Sequence, residues 1–173
     1  MRHGLIAVLG LGMLACGEPN EAPRERKLDI RLETHAVLPG QPSAAGLAYL
    51  DQVLAAHREA DAIAEPLARA DRLIAALELP IPERDGAAEI AAIGLAARAS
   101  EALLEAHADA RVIALLGPIV PTERSLVIDR ASARCLVALG DAAARSGDHV
   151  LAMGSYARAL DMLTLLLEEE AES

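Results

Sequence analysis

Apolar residues fall along this chain in three rhythms, and each rhythm predicts a different kind of structure. Residues 4–15 form an unbroken apolar run preceded by Arg2. Over residues 28–38, in KLDIRLETHAVL, Leu28, Ile30, Leu32, Thr34, Ala36 and Leu38 are spaced by two, the period of a half-buried strand. After Pro39-Gly40-Gln41-Pro42 the period changes again. From Ser43 onward apolar positions recur every three or four residues, which places them on one side of an α-helix.

Breakers divide this last part into about six helices. Ser43 is placed to cap the first, whose stripe reads Leu47, Leu50, Leu54 and His57. A second stripe, Ile63, Leu67, Ala70, Ile74 and Leu77, follows, and Pro66 predicts a break near residues 61–65. PIPERDG is a turn. A third helix is expected over 87–107 with Ile90, Ile93, Ala97 and Leu104 inward, and a fourth from Asp109 to a stop at Gly117-Pro118. Thr122 is placed to cap a fifth helix reaching Arg145, and Asp148 a sixth ending in Glu168-Glu169-Glu170, whose charges oppose the helix dipole. The expected fold is all-α: antiparallel helical hairpins occupying residues 43–170.

Composition narrows the chemistry. The chain holds 38 alanines, two tyrosines and neither Phe nor Trp, so the core must be Leu, Ile, Val and Ala packed over small residues. That scarcity of aromatic rings argues against base stacking and aromatic cages. The formal charge of −10 opposes nucleic acid, whose binding rests on phosphate neutralisation. No H-E-x-x-H or G-x-S-x-G occurs, and His35, His57, His107 and His149 show no metal-ligand spacing. The expectation is a protein that is not an enzyme and takes neither metal nor cofactor. Cys135, among Leu136, Val137 and Leu139, is expected to be a buried, inert thiol.

The first apolar run is twelve residues long, whereas a bilayer-spanning helix needs about 20. A basic start and a short apolar stretch ending in small residues describe a secretory leader. Its end, Met13-Leu14-Ala15-Cys16 followed by Gly17 and the polar Glu18-Pro19-Asn20, resembles the lipobox of bacterial lipoproteins, with Met13 and Leu14 where the family favours Leu and a small residue. The resemblance implies removal of residues 1–15, acylation of Cys16 as the only covalently held lipid, and residence in a cell envelope. Gly17, where inner-membrane retention uses Asp, implies the outer membrane. Loss of Arg2 with the leader takes the charge from −10 to −11. Residues 16–42 would then be a lipidated, mostly disordered tether, with a possible strand near 28–38. Two or more acyl chains are needed for stable anchoring.

Near the other end, Leu136-x2-Leu139-Gly140-x2-Ala143, the Gly147-Asp148 turn, and Ala152-x3-Tyr156 with Ala159-Leu160 resemble one tetratricopeptide repeat, over residues 133–166. Gly140 and Ala152 would let two helices approach and Tyr156 would fill the space between them. Leu136, Ala143 and Thr164 depart from the family's Trp, Tyr and Pro. Residues 50–80 have a comparable length and an A-L-E-L-P ending but lack the Leu-Gly pair; residues 90–113, with Ile93-Gly94, match less. The resemblance implies a partner-binding face on the first helix of this hairpin. Arg134, Val137, Asp141 and Arg145, spaced 3, 4 and 4 opposite Leu136, Leu139, Gly140 and Ala143, are its candidates. The plain alternative is a solvated face with an Asp141–Arg145 pair of about 0.3–0.5 kcal/mol. The sequence thus reads as a membrane-anchored adaptor for an envelope protein or peptide, or alternatively as a helical bundle binding a small ligand or acting as a sensor.

Overall fold

The structure, a computed structural model, describes residues 41–121, 126 and 128–172. Cys16, the alternation over 28–38 and Thr122 lie outside the described residues. Six helices follow one another: α1 (Ala44–Asp61), α2 (Pro66–Leu77), α3 (Gly86–Glu105), α4 (Asp109–Ile119), α5 (Arg130–Arg145) and α6 (His149–Glu172). No strand occurs among the described residues. The fold class is all-α, as the spacing predicts.

Side chains fix most of the helix starts. Ser43 Oγ accepts from the Gly46 amide at 2.9 Å, and Asp148 accepts from the Leu151 amide at 3.0 Å, the two caps expected from sequence. The break before Pro66 is real. Proline takes the first helical position of α2, where its missing N–H costs nothing, and the Glu65 carboxylate accepts from Leu67 and Ala68. α5 starts at Arg130, and its cap is Asp129, which accepts from the Ser132 amide at 2.7 Å.

The stop at Gly117-Pro118 is not obeyed: α4 runs through both residues to Ile119. Proline this late removes only one bond, to the carbonyl of Ala114 on the exposed side. The Val120 amide still reaches the Leu116 carbonyl at 2.8 Å, and burial of Val120 holds the turn in place.

Backbone to backbone, each helix packs only on helices one or two places away in order. α1 lies on α2 and α3, α2 on α3, α3 on α4 and α5, α4 on α5, and α5 on α6. The core follows this one-dimensional order. Tyr49, Val53, Ala56, Leu73, Leu95 and Ala99 form one cluster between α1, α2 and α3. A second, with Leu103, Val112, Leu116, Leu136, Leu139 and Met162, joins α3 to α6. Helix α3 sits between them and buries Ala88, Ala92 and Ala99 on one side and Ala96, Ala97 and Ala102 on the other. A helix so placed needs apolar residues on two sides, which leaves a third for Arg98 and Glu101.

The second and third hairpins, α3–α4 and α5–α6, turn in the same way. α3 ends with the His107 amide on the Leu104 carbonyl and the Ala108 amide on the Leu103 carbonyl. α5 ends with Gly147 on Ala144 and Asp148 on Ala143, the same pair of bonds 40 residues later. Both are Schellman turns, which need a left-handed residue. Gly147 supplies it at φ 82°, and His107 takes it at φ 55° despite its side chain. At that offset Ser100, fully buried, stands where Gly140 stands, and Leu116 stands where Tyr156 stands.

The Leu47, Leu50, Leu54 and His57 stripe is not the buried side of α1, Leu50 and His57 being only half-buried. Gly46, Tyr49, Val53, Ala56 and Ala60 are the buried residues, while Leu47 and Leu54 are exposed. Both sides of α1 carry a three-or-four spacing, and close packing selects the smaller one. A Cβ at Gly46 would lie 1.9 Å from Asp85 Oδ2, so a leucine-bearing side has no room at the α1–α3 contact.

Candidate functional site

The helices that open each hairpin, α1, α3 and α5, lie side by side, and the side chains they turn away from the core form a continuous row. Leu47, Leu50, Leu54, His57 and Asp61 recur at 3-4-3-4 on α1. Arg98 and Glu101 follow on α3, one turn apart, then Arg134 and Val137 on α5. Arg98 links to Asp61 through Nη2 and donates from Nη1 to His57 Nδ1 at 3.0 Å. Arg134 grips Glu101 with two bonds, Nε to Oε1 at 2.8 Å and Nη2 to Oε2 at 2.7 Å.

A guanidinium can only donate, so His57 Nδ1 must be the accepting nitrogen and its proton resides on Nε2. Burial lowers the His57 pKa below its usual value, and the Arg98 charge lowers it further, against the opposing pull of Asp61. The ring is therefore neutral at pH 7. The bond from Arg98 pulls the Asp61 carboxyl below the ordinary carboxylate range. Charges on the row are thus matched in pairs. Exposed pairs of this kind add little stability, but they hold the long arginine side chains extended between helices.

The four residues expected to bind a partner divide. Arg134 and Val137 sit on the row, Val137 partly exposed beside the Arg134–Glu101 pair. Asp141 accepts from the Tyr156 hydroxyl at 2.6 Å, a bond that raises the tyrosine pKa. Arg145 turns to Asp109 on α4, with Nη2 at 2.6 Å and Nε at 2.8 Å from Oδ1. The Asp141–Arg145 pair within α5 does not form, because each residue has a partner on another helix. Leu136, Leu139, Gly140 and Ala143 are buried as expected. Sequence reasoning missed Leu47, Leu54, Arg98 and Glu101. The first two carry only the helical spacing of α1 in the sequence; the last two gain meaning only when α3 lies beside α1 and α5.

Two clefts are present, one on the row and one on the other side of α1. One, of about 220 Å³, is bounded by Asp61, Arg69, Leu73, Arg98, Glu101 and Glu105. The other, of about 360 Å³, lies between Ala45, Ala48, Tyr49 and Gln52 of α1 and the Leu79-Pro80-Ile81-Pro82 turn. The Tyr49 hydroxyl is buried with no hydrogen-bond partner among the described residues, and burial raises its pKa.

Cys135 is fully buried, its Sγ 3.7 Å from the Ile93 carbonyl, and burial pushes its pKa up to about 12. A thiol in that state does not form the reactive thiolate near neutral pH. No group of three His, Cys, Asp or Glu side chains converges among the described residues. No family model, curated protein or solved structure matches the chain.

Proposed function

We propose that the protein is a lipid-anchored, non-enzymatic adaptor of a bacterial cell envelope that binds a partner protein or peptide on the α1, α3 and α5 row. The observation that carries this reading is the row itself. Exposed Leu47 and Leu54 on α1 and Val137 on α5 share it with charges of α1, α3 and α5 already matched in pairs. Apolar side chains next to ordered polar groups are what an extended peptide needs, since it buries alternate side chains and still requires hydrogen-bond partners for its backbone.

Three further features support it. Contacts run only between near neighbours, as in repeat arrays, whose first helices line the binding face. The second and third hairpins share one turn geometry at a fixed offset. Met13-Leu14-Ala15-Cys16 resembles a lipobox, and a tether from Cys16 to about Ser43 would hold the helices close to the bilayer, raising their effective concentration toward other envelope proteins. By the same resemblance the outer membrane is the expected site.

The tether is tested by Cys16→Ser. The wild-type chain should sediment with membranes and carry acyl mass, and the variant should do neither. Unchanged mass and sedimentation would remove the anchor from the proposal. A small-ligand reading draws on one specific observation, the buried Tyr49 hydroxyl beside a cleft of about 360 Å³, a size within the range of ligand pockets. It requires a melting-temperature rise with a small molecule that Tyr49→Phe diminishes.

A further inference from the structure

Helix α6 has two apolar sides, and the described helices cover one. Its inner side, with Ala152, Ser155, Ala159 and Met162 buried, packs on α5. Its outer side carries Val150, Met153, Leu160 and Leu167 at 85%, 73%, 66% and 66% exposure. With the exposed Ala157 and Thr164 between them, these residues recur at 3-4-3-4-3. That is the a and d spacing of a coiled coil, flanked on one side by the partly exposed Tyr156 and Leu163.

We propose that the protein forms a two-fold dimer in which the outer sides of two α6 helices pack antiparallel. The seam is complementary to its own reverse. Pairing about its midpoint sets Val150 against the partner's Leu167, Met153 against the partner's Thr164 and Ala157 against the partner's Leu160, so the two inner layers each match a large side chain with a smaller one. Such layers fill space without voids, and a two-fold interface must be self-complementary in this way.

Charge selects the orientation. A parallel pair would bring two Glu168-Glu169-Glu170 runs together. The antiparallel pair separates them and sets His149 near the partner's Glu170. The exposed seam amounts to about 600 Å² of each copy, or about 1,200 Å² for the pair, the lower edge of specific interfaces.

A bilayer is the competing occupant, since residues His149–Ala171 are long and apolar enough to cross one. Asp161 is exposed halfway along that segment, and a carboxylate at mid-bilayer is strongly disfavoured. Helices that lie on membranes carry Lys and Arg along the polar side; on α6 the exposed charges are Asp161 and the terminal glutamates. A second copy fits these charges where lipid does not. The dimer does not rest on the adaptor reading.

The test uses the full chain carrying Cys16→Ser, sedimented at equilibrium over a range of concentrations. The chain should be a dimer with micromolar or tighter dissociation, and Leu160→Glu, at a solvent-exposed position, should weaken it at least 100-fold with unchanged circular dichroism. Orientation is read by disulfide trapping: Ala157→Cys mixed with Leu160→Cys should cross-link faster than Leu160→Cys with itself. A monomer at every concentration overturns the proposal, as does a dimer indifferent to Leu160→Glu or faster Leu160→Cys self-trapping. Co-sedimentation of the monomer with phosphatidylethanolamine–phosphatidylglycerol vesicles, abolished by Leu160→Glu, assigns the seam to lipid and overturns it too.

Discussion

Adding one methyl group to Gly140 tests the packing of the third hairpin, because two opposed effects of known size meet there. In a helix interior alanine is better than glycine by about 0.8–1.0 kcal/mol, so Gly140→Ala should stabilise α5 taken alone. In the folded protein the new Cβ would fall 2.6 Å from Tyr156 Cε1, 2.8 Å from Cδ1 and 2.9 Å from Cζ. These are ring atoms, so the whole aromatic side chain has to move, and overpacking of this kind costs about 1–3 kcal/mol. Movement also weakens the 2.6 Å bond from the Tyr156 hydroxyl to Asp141, worth about 0.5–1.5 kcal/mol. The loss exceeds the gain, and a net destabilisation of about 1–2 kcal/mol is expected. Removing the ring removes the opposition: in a Tyr156→Ala background the same Gly140→Ala change should stabilise by about 1 kcal/mol. Urea unfolding followed by far-ultraviolet circular dichroism gives all four corners of the cycle, with an interaction energy of about 2–3 kcal/mol between directly touching residues. Equal stabilisation by Gly140→Ala in both backgrounds would refute the reasoning.

The two matched turns predict opposite responses to glycine and alanine. His107→Gly should raise stability by up to about 1 kcal/mol, since it relieves a left-handed residue with a side chain, while Gly147→Ala should lower it by about 1 kcal/mol; thermal melts that move both variants the same way would contradict the shared turn. The lowered His57 pKa gives the row a pH dependence. A group whose pKa falls on folding stabilises fully above its unfolded value, near pH 6.5, and loses that contribution as pH drops toward the folded value. Stability should therefore decline on mild acidification, and His57→Gln should flatten that part of the profile; an unchanged slope in the variant would remove His57 as its origin. The Asp85 carboxylate accepts from the Ser43 amide at 2.9 Å, Ser43 Oγ at 2.8 Å and the Ala88 amide at 3.1 Å, bonds that lower its pKa. Its contribution is lost at lower pH, so Asp85→Asn should weaken the acid limb of unfolding below the ordinary carboxylate range without altering the His57 region.

Local chemistry was readable from sequence where one residue type does one job. Ser43, Pro66, Asp148 and Gly147 punctuate the helices as expected, because caps and turns depend on a few adjacent residues. Sidedness is not readable where both sides of a helix are apolar: on α1 the leucines carry the same spacing as the Gly46-Tyr49-Val53-Ala56 side, and it is the latter that fits against α3. The likeness between the second and third hairpins was hidden for a related reason. Ser100 takes the place of Gly140 and His107 that of Gly147, so the residues that advertise the motif are absent while the geometry persists. Ile93-Gly94, the pair that looked like Leu-Gly, falls six residues out of register with that match. The row itself was half legible, since Arg134 and Val137 lie on one helix, but Arg98 and Glu101 become part of it only through the packing of three helices.

In the proposed adaptor, the α1, α3 and α5 row contacts another protein of the envelope that holds the chain. A photo-activatable side chain placed at Val137 or at Leu54, both on the row, and at Ala75, exposed on α2, tests it most directly after irradiation of intact cells. The account predicts one discrete adduct with the same envelope protein from Val137 and from Leu54, and none from Ala75. Adducts of equal yield from Ala75, or no adduct from either row position, would contradict it.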